Sequence, residues 1–399
     1  MDPTLIILGA GTLIFLALVF SVIFRRYQIP DVLFLFAIGL LLGPVTGIIR
    51  IDDFDTLGST FAIITLVIIL FEAGLDIQIK SILSLFWKAN LLMLTTLLGT
   101  VAVVAPLAII LFDVSLLVSI LSGIIVGSVS SGIGLPIIAR LNVRDETKAL
   151  LTLESNLNNV VTIVLILFLA RVLQQESISL AAAGWEIIRG FAYAVIVGVL
   201  FAVTWSRILG RIRGITNSMF TTPALVLILY SITELLGGSG PVAALIFGIV
   251  LGHFTNSRPG ILRTLLGMEA FRLTRHERRF FTGLVFLLQA FFFVYVGIAM
   301  DLSSTPFLLW GAGATFLLFV LRAVTVKYLF RTTLSPFDLA ILKRLLPKGL
   351  VGLALISLIG DPIVRDITYP IILFSILYTS ILIPLVRNRS VNPPVAAAR

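Results

Sequence analysis

Thirteen long apolar runs follow one another along the chain, each bounded by charged residues or by glycine and proline. A run of about 20 apolar residues can cross a bilayer as an α-helix, because a helix satisfies its own backbone hydrogen bonds. The alternating pattern of a membrane β-barrel is absent from the sequence. The predicted spans cover residues 4–24, 31–49, 57–75, 90–112, 115–139, 149–173, 184–206, 219–237, 240–254, 280–300, 305–329, 344–360 and 367–386.

The composition supports this class because the chain has too little charge to cover a soluble core. Of the 399 residues, 59% are apolar and 12% are charged, and the mean hydropathy is +1.13. A soluble domain keeps an apolar fraction nearer to half. The sequence therefore predicts an all-α polytopic protein of the cell membrane, surrounded by lipid. The chain has no cysteine, which excludes thiolate metal sites, and we expect no cofactor.

The net charge of +9 is explained by where the basic residues lie. Segments after odd-numbered spans hold 24 of the 29 lysines and arginines, Lys348 among them, and Arg322 is the one basic residue deep inside a predicted span. Basic segments of multi-pass proteins face the cytoplasm. The pattern places the amino terminus outside and the carboxyl terminus in the cytoplasm, and no nucleic-acid partner is needed to explain the charge.

Glycine motifs recur in the same order in the two halves of the chain. Span 2 contains Gly39 and Gly43, and span 9 contains Gly248 and Gly252 with the same spacing. Spans 3 and 10 each end in a second motif, built around a glycine and an aspartate. Seven spans separate the partners, so the repeats have inverted topology, as in secondary transporters. We expect a single membrane transporter domain over 1–399 without a soluble regulatory domain, with repeat one at about 4–173, a linking helix at about 184–206 and repeat two at about 219–386.

Helix-breaking residues interrupt spans 5 and 12. Between Gly123 and Pro136, span 5 contains four glycines, three serines and a proline. An interior glycine costs a helix about 1 kcal/mol and a proline about 3. Pro347–Gly352 occupies the matching place in span 12, 217 residues beyond Gly132. Broken helices that meet near the midplane form the binding sites of secondary transporters. The alternative is ordinary kinks, with small residues for close packing.

Four ionisable residues lie well inside the predicted spans: Glu72, Glu154, Glu234 and Arg322. Each costs roughly 2.5–3.5 kcal/mol to insert into a bilayer, which makes it a functional candidate. For Glu154 and Arg322, a structural role in the core is favoured over proton transport. Glu234 lies near a span end and is expected to be solvated.

A dense polar run follows Glu154 in span 6. At about 100° per residue, several of its side chains share one helical face, which we expect to look at the broken span 5. Hydroxyl, amide and freed backbone oxygens suit a small cation such as Na⁺ or K⁺. The alternative is interhelical hydrogen bonding without a ligand. The predicted cation-binding side chains are Ser130, Ser131, Ser155, Asn158 and Asn159.

At these residues the chain resembles the monovalent cation/proton antiporter superfamily. Leu70–Leu75 resembles the third-helix motif of the family, and Glu154–Asn159 resembles its Glu-Ser-x-x-Asn-Asp motif, which is the most specific match. The similarity covers nearly the whole chain in order. It continues through Gly238–Gly252, Phe291–Asp301, Arg322 and Pro347–Leu355.

The resemblance implies a homodimer that exchanges Na⁺ or K⁺ for protons by alternating access. Each thirteen-helix protomer would contain a moving six-helix core, with the ion site where the fifth and twelfth helices break and cross. It also implies that Glu154 pairs with Arg322 to stabilise this core. The expected partners are thus monovalent cations, protons, lipids and a second copy of the chain.

One position departs from the family pattern. The aspartate that binds the ion and accepts the proton is expected at position 159, where this chain has Asn159, which cannot titrate. Three explanations are open. The chain is an engineered Asp-to-Asn variant with impaired transport, or a natural member whose carboxylate has moved to Glu72 or Glu154. Alternatively it is a non-exchanging relative, either channel-like or anion-transporting, since helix amino termini at the breaks carry partial positive charge.

An enzyme is the alternative from another class of function. The zinc-protease motif His-Glu-x-x-His and the hydrolase motif Gly-x-Ser-x-Gly are absent from the sequence. The two histidines, His253 and His276, lie near span ends and are isolated from one another. Two isolated histidines make a poor metal site. We therefore expect a transporter and not an enzyme.

Overall fold

The computed structural model describes residues 3–27, 30–49, 55–76, 82–138, 141, 143–174, 180–212, 218–256, 274–300 and 305–390. Within these ranges the chain forms fifteen α-helices. A π-helical turn at Leu41–Val45 extends the second helix, and a short 3₁₀ turn at Ser218–Phe220 precedes the ninth. The helices are α1 Pro3–Tyr27, α2 Asp31–Leu40, α3 Asp55–Asp76, α4 Ile82–Phe112, α5 Leu116–Gly127, α6 Ser131–Ile138, α7 Asp145–Gln174, α8 Leu180–Ile212, α9 Thr221–Leu235, α10 Gly240–Asn256, α11 Arg275–Ala299, α12 Thr305–Phe330, α13 Pro336–Arg344, α14 Leu350–Ile359 and α15 Pro362–Ser390.

Every predicted span corresponds to one helix or, at spans 5 and 12, to two. In the described ranges, seven helices are long and apolar enough to cross a membrane: α1, α4, α7, α8, α11, α12 and α15. Five shorter apolar helices, α2, α3, α5, α9 and α10, lie between them. The prediction of an all-α polytopic membrane protein is confirmed.

The boundaries of span 12 differ from the prediction of 344–360. Its first half, α13, already begins at Pro336, one residue after the capping residue Ser335. The Ser335 hydroxyl accepts a hydrogen bond from the Asp338 N–H at 3.1 Å, and Asp338 itself is buried. Polar residues in this first half concealed the helix, because a hydropathy pattern assigns them to a loop.

Two close helix contacts use the glycines of the sequence motifs, and we call them the glycine seams: α2 with α11, and α3 with α10. In the first seam, a methyl group on Gly297 would lie 2.8 Å from the Gly39 Cα. In the second, a methyl group on Gly74 would lie 3.0 Å from the Gly248 Cα. Each seam thus joins one motif of the first half to the other motif of the second half. Such an exchange of partners is what two related halves would produce.

The remaining contacts surround the two broken spans. Helix α4 packs against α5 and α7, and α12 packs in the same way against α13 and α15. The two sets meet because α12 contacts α4, α15 contacts α5, and α14 contacts α7. The breaks in spans 5 and 12 therefore lie inside a bundle, where backbone polar groups need partners from the protein.

Candidate functional site

The two breaks cross each other inside this bundle. Helix α5 ends at Gly127 and α6 begins at Ser131, whereas α13 ends at Arg344 and α14 begins at Leu350. Val129 and Lys348 form an isolated antiparallel bridge between the two unwound segments. The prediction that spans 5 and 12 are broken and cross is confirmed. We call residues 128–130 and 345–349 together the crossing.

Glycine allows the unwound segments to approach this closely. The Ser130 N–H donates to the Pro347 carbonyl at 2.9 Å, across the two segments. A methyl group on Gly352 would lie 2.8 Å from both the Ile125 carbonyl oxygen and the Ser128 hydroxyl oxygen. Contacts at that distance would force the segments apart. Gly352 is therefore required where α14 packs against the end of α5 and the first break.

Asn158 of α7 holds the first break. Its Oδ1 accepts a hydrogen bond from the Val129 N–H at 2.8 Å, and its Nδ2 donates to the Gly127 carbonyl at 3.2 Å. The side chain is fully buried. It supplies one acceptor and one donor where the helix ladder is interrupted, so the break leaves neither backbone group unpaired.

The second break is held by two other side chains. The Ser375 hydroxyl of α15 accepts from the Lys348 N–H at 3.0 Å. The Arg322 Nε of α12 donates to the Leu342 carbonyl at 3.2 Å, in the last turn of α13. Each unwound segment is thus fixed by a neighbouring long helix, but the second one depends on a charged residue.

Arg322 also forms a bidentate ion pair with Glu154. Its Nη2 donates to Oε2 of Glu154 at 2.7 Å, and its Nη1 donates to Oε1. Nη1 also reaches the Thr96 hydroxyl of α4 at 2.8 Å. Glu154 and Arg322 are 0% and 2% exposed, so both members of the pair are buried. The pairing implied by the resemblance is present, and it ties α7, α12 and α4 together.

A small cleft lies between α7 and the crossing. Ser130 of the first break, Ser155 and Glu154 of α7, and Pro347 of the second break are among the residues that line it. The Ser155 hydroxyl donates to the Thr152 carbonyl at 3.2 Å, which leaves its oxygen lone pairs available. Two of the predicted cation-binding residues, Ser130 and Ser155, are thus brought together.

The other predicted residues of the polar face lie beside this cleft or outside the described side chains. Asn159 is buried on α7 next to Asn158, one turn after Ser155. Asn158 is engaged by the first break through both polar atoms of its amide. Ser131 is the first residue of α6, but its side chain is outside the described part of the structure.

Neither Glu72 nor Glu234 is among the described partners of the Glu154–Arg322 pair. Glu72 is partly buried on α3, which packs against α10, α11 and α14. Glu234 is exposed, and its Oε1 accepts from the Gly240 N–H at 2.7 Å at the start of α10. A carboxylate at a helix amino terminus complements the helix dipole, so Glu234 acts as a cap.

Lys348 is a buried residue that the charge pattern misassigned. Its placement among the loop residues is wrong, because Lys348 lies in the crossing and is 0% exposed. Its Nζ donates to the Thr100 hydroxyl of α4 at 3.2 Å. Arg322 is therefore not the only basic residue in the interior. The available signal was the position of Lys348 itself, inside the predicted span and between the proline and glycine of the break motif.

Comparison with known proteins identifies the family. The family described as "Sodium/hydrogen exchanger, transmembrane" matches residues 12–388. The K⁺/H⁺ antiporter NhaP2 of Shewanella oneidensis is 29% identical over 252 residues, which cover 61% of this chain and 43% of that protein. NhaP2 of Shewanella sp. (strain ANA-3) is 27% identical over 257 residues, with 62% and 44% covered. The matched region thus spans less than half the length of these relatives.

Solved structures show the same fold. The sodium proton antiporter MjNhaP1 from Methanocaldococcus jannaschii, solved at pH 8, superimposes with a TM-score of 0.72 over 96% of each chain, at 22% identity. A second structure of MjNhaP1 gives a TM-score of 0.72 over the full length of both chains, at 19% identity. With the family match over residues 12–388, these findings make the chain a multi-pass membrane protein of the sodium/hydrogen exchanger family, whose members are transporters and not enzymes.

Proposed function

We propose that this chain exchanges Na⁺ or K⁺ for protons across the membrane, by alternating access at the crossing. The main support is the cleft between the two breaks and α7, where the Ser130 and Ser155 hydroxyls meet unwound backbone. Secondary transporters bind ions where broken helices expose carbonyl oxygens near the midplane. The antiporter activities of NhaP2 and MjNhaP1 agree with this substrate class.

The proposed cation site uses oxygen atoms of α7 and the first break. Ser130, Ser131, Ser155 and the Asn159 amide would supply the ligands, because each offers an oxygen and none carries a charge. Asn158 would set the shape of the site by holding the first break. In this proposal the Glu154–Arg322 pair stabilises the core and does not bind the cation.

We also propose an organisation of two inverted repeats. The first, at about 4–173, contains α1–α7, and the second, at about 219–386, contains α9–α15; α8 links them at about 184–206. The exchange of glycine partners between the seams supports this division.

In the proposed orientation the amino terminus is outside and the carboxyl terminus is in the cytoplasm. The functional unit would be a homodimer in a lipid bilayer, as the resemblance implies.

Asn159 favours a second candidate function. Without a carboxylate at this position, the chain is a transport-impaired form of an antiporter, or a relative that conducts ions without exchange. The two candidates differ in one measurable property, which is proton movement driven by a cation gradient.

The test is transport by the purified chain in proteoliposomes with a pH-sensitive dye inside. A pH gradient is imposed, and NaCl, KCl or choline chloride is added outside. We expect NaCl or KCl to move protons, and choline chloride to give the signal of protein-free vesicles. If neither cation moves protons in this chain but both do so after Asn159→Asp, the transport-impaired candidate is correct. Chloride flux that does not depend on the cation would exclude antiport.

A further inference from the structure

The buried charges at the crossing do not balance. In the described part of the chain, four charged side chains are buried: Glu154, Arg322, Asp338 and Lys348. Glu154 and Arg322 form a pair, and Asp338 accepts from the Thr147 hydroxyl and lies 3.8 Å from the Arg144 Nε. Among the described residues, no carboxylate lies within 4.0 Å of the Lys348 Nζ. The two basic side chains Arg322 and Lys348 and the one carboxylate of Glu154 therefore leave one excess positive charge when Lys348 is protonated.

The backbone fixes Lys348 in this position. Its N–H is bound by Ser375, and its segment bridges to Val129. Its Nζ donates to Thr100, whose own hydroxyl donates to the Thr96 carbonyl at 2.7 Å. Thr96 also contacts Arg322, so the two cationic side chains are anchored one turn apart on α4. The main chain of Lys348 is therefore held at the second break, and its ammonium group is bound to α4.

Lysine differs from arginine in the one property that matters here. Arginine stays protonated in proteins, whereas lysine can release its proton and become a neutral amine. An ammonium group held away from water is costly unless a carboxylate neutralises it. Glu154 is already engaged by Arg322, and Asn159 cannot titrate. Of the buried groups at the crossing, Lys348 is thus the one whose proton can leave without stranding a charge.

We propose that Lys348 is the proton carrier of this chain, and that its protonated form and a bound cation exclude each other at the crossing. When the cation enters, an N–H bond of the ammonium breaks, and the proton passes to water on the side to which the crossing is open. The amine keeps the electron pair. One positive charge occupies the crossing in either state, so the exchange is one for one and electroneutral. This inference rests on the proposed cation/proton exchange.

Two other groups of charges lie on helices that pack near Lys348. Glu72 of α3 is partly buried, and α3 contacts α14 directly after the second break. Arg365 and Asp366 of α15 bind each other at 2.9 Å, in the first turns of that helix. Glu72 is the carboxylate that could take over proton transfer, so the experiment includes it.

The experiment compares the unaltered chain with five variants in the same proteoliposome assay, with ²²Na⁺ or ⁸⁶Rb⁺ uptake measured beside proton flux. The variants are Lys348→Gln, Lys348→Arg, Lys348→Gln with Asn159→Asp, Glu72→Gln and Lys343→Gln. Lys348→Gln should take up the cation without moving protons. Lys348→Arg should show neither flux above protein-free vesicles, because its charge is permanent. Asn159→Asp added to Lys348→Gln should restore proton flux, since a titrating group returns. The matched control is Lys343→Gln, a partly buried lysine at the end of α13, which should behave like the unaltered chain.

Cation binding in detergent, measured by calorimetry with NaCl and KCl, gives an independent readout. In the unaltered chain the apparent affinity for the cation should fall by about tenfold for each unit by which the pH is lowered, over the range where Lys348 is protonated. The reason is that one proton competes with one cation. The affinity of Lys348→Gln should not change with pH.

Different results overturn different statements. If Lys348→Gln or Lys348→Arg keeps cation-coupled proton flux, Lys348 is not the carrier, although the proposed function stands. Loss of proton flux in Glu72→Gln, with flux intact in the Lys348 variants, assigns the proton to Glu72. If the unaltered chain moves no protons with either cation, the proposed function fails, and the inference fails with it. Should Lys348→Gln not fold, as judged by size-exclusion chromatography, pH-independent cation binding by the unaltered chain still overturns the inference.

Discussion

The two breaks of the crossing occupy matching places in the chain but are held by different chemistry. Asn158, which holds the first, and Ser375, which holds the second, are 217 residues apart, the same offset that separates Gly132 from Gly349. Asn158 gives its break two hydrogen bonds, whereas Ser375 gives one. Arg322 supplies the additional anchor of the second break. The first break is thus held by the neutral amide of Asn158, whereas the second is held by a neutral hydroxyl and a charged guanidinium.

This difference separates the two breaks by charge. Asn158 fixes the first break without a charge of its own. The basic residues Lys348 and Arg322 are both anchored on α4, and the carboxylate that pairs with Arg322 lines the cleft beside Ser130 and Ser155. The comparison predicts that the second break is more sensitive to loss of charge and the first to loss of a single amide.

The largest effect is expected for Arg322→Ala. This change leaves Glu154 buried without its partner and removes the donor to the Leu342 carbonyl. Removing one member of a buried ion pair costs about 3–5 kcal/mol of stability. Equilibrium unfolding in SDS-containing micelles should record this loss in the free energy of unfolding.

The control for Arg322→Ala removes both charges. Arg322→Met combined with Glu154→Leu should be less destabilising than Arg322→Ala, because no charge is stranded in the core. If the double variant is as unstable as the single one, the second break depends on the Leu342 hydrogen bond and not on charge.

The first break should be most sensitive to Asn158→Ala. The change leaves the Val129 N–H and the Gly127 carbonyl buried without partners, and we expect a loss of about 2–3 kcal/mol. The matched control is Asn156→Ala on the same helix, because Asn156 is also buried but makes none of the described hydrogen bonds to the crossing. Thermal unfolding in detergent compares the two, and equal losses would mean that Asn158 does not act as a clamp.

The sequence predicts the breaks well because their cause is local. Glycine, serine and proline at 127–136 and 347–352 disfavour a helix wherever they lie, so both interruptions could be predicted from propensity alone. The breaks therefore need no knowledge of distant partners. The spacing of Gly39 and Gly43, which share one helical face, indicates a close helix contact but does not identify α11 as the partner.

The burial of Lys348 does not follow from local propensity. The residue follows Lys343 and Arg344 closely, and three basic residues at the edge of an apolar run are typical of a loop. Its burial depends on Thr100, which is 248 residues away in the chain. The contacts of Asn158 could not be predicted either. A polar helix face does not reveal whether an amide binds a cation or the backbone of a neighbouring segment.

A third prediction tests whether a tight helix contact outside the crossing also contributes to stability. Gly297→Ala in a glycine seam places a methyl group 2.5 Å from the Phe36 carbonyl oxygen and 2.8 Å from the Gly39 Cα. Overpacking of this kind costs about 1–3 kcal/mol. Gly283→Ala on the same helix is the control, since a methyl group there meets nothing within 4 Å. The two variants are compared by equilibrium unfolding in SDS-containing micelles. If the two variants lose equal stability, the glycine seam tolerates a small separation of its helices. Close approach of the backbones would then not be what stabilises the seam.

The smallest effect is expected for Ser375→Ala. The change removes one neutral hydrogen bond to the Lys348 N–H, so we expect a loss of about 1 kcal/mol, less than for Asn158→Ala. Ser380→Ala on the same helix is the control, because the described hydrogen bond of that hydroxyl lies within its own helix, to the Ile376 carbonyl at 2.6 Å. Thermal unfolding in detergent should place Ser375→Ala between this control and Asn158→Ala. If it is as destabilising as Asn158→Ala, the hydroxyl alone holds the second break. The anchoring would then be equal on both sides of the crossing, and Arg322 would serve Glu154 alone.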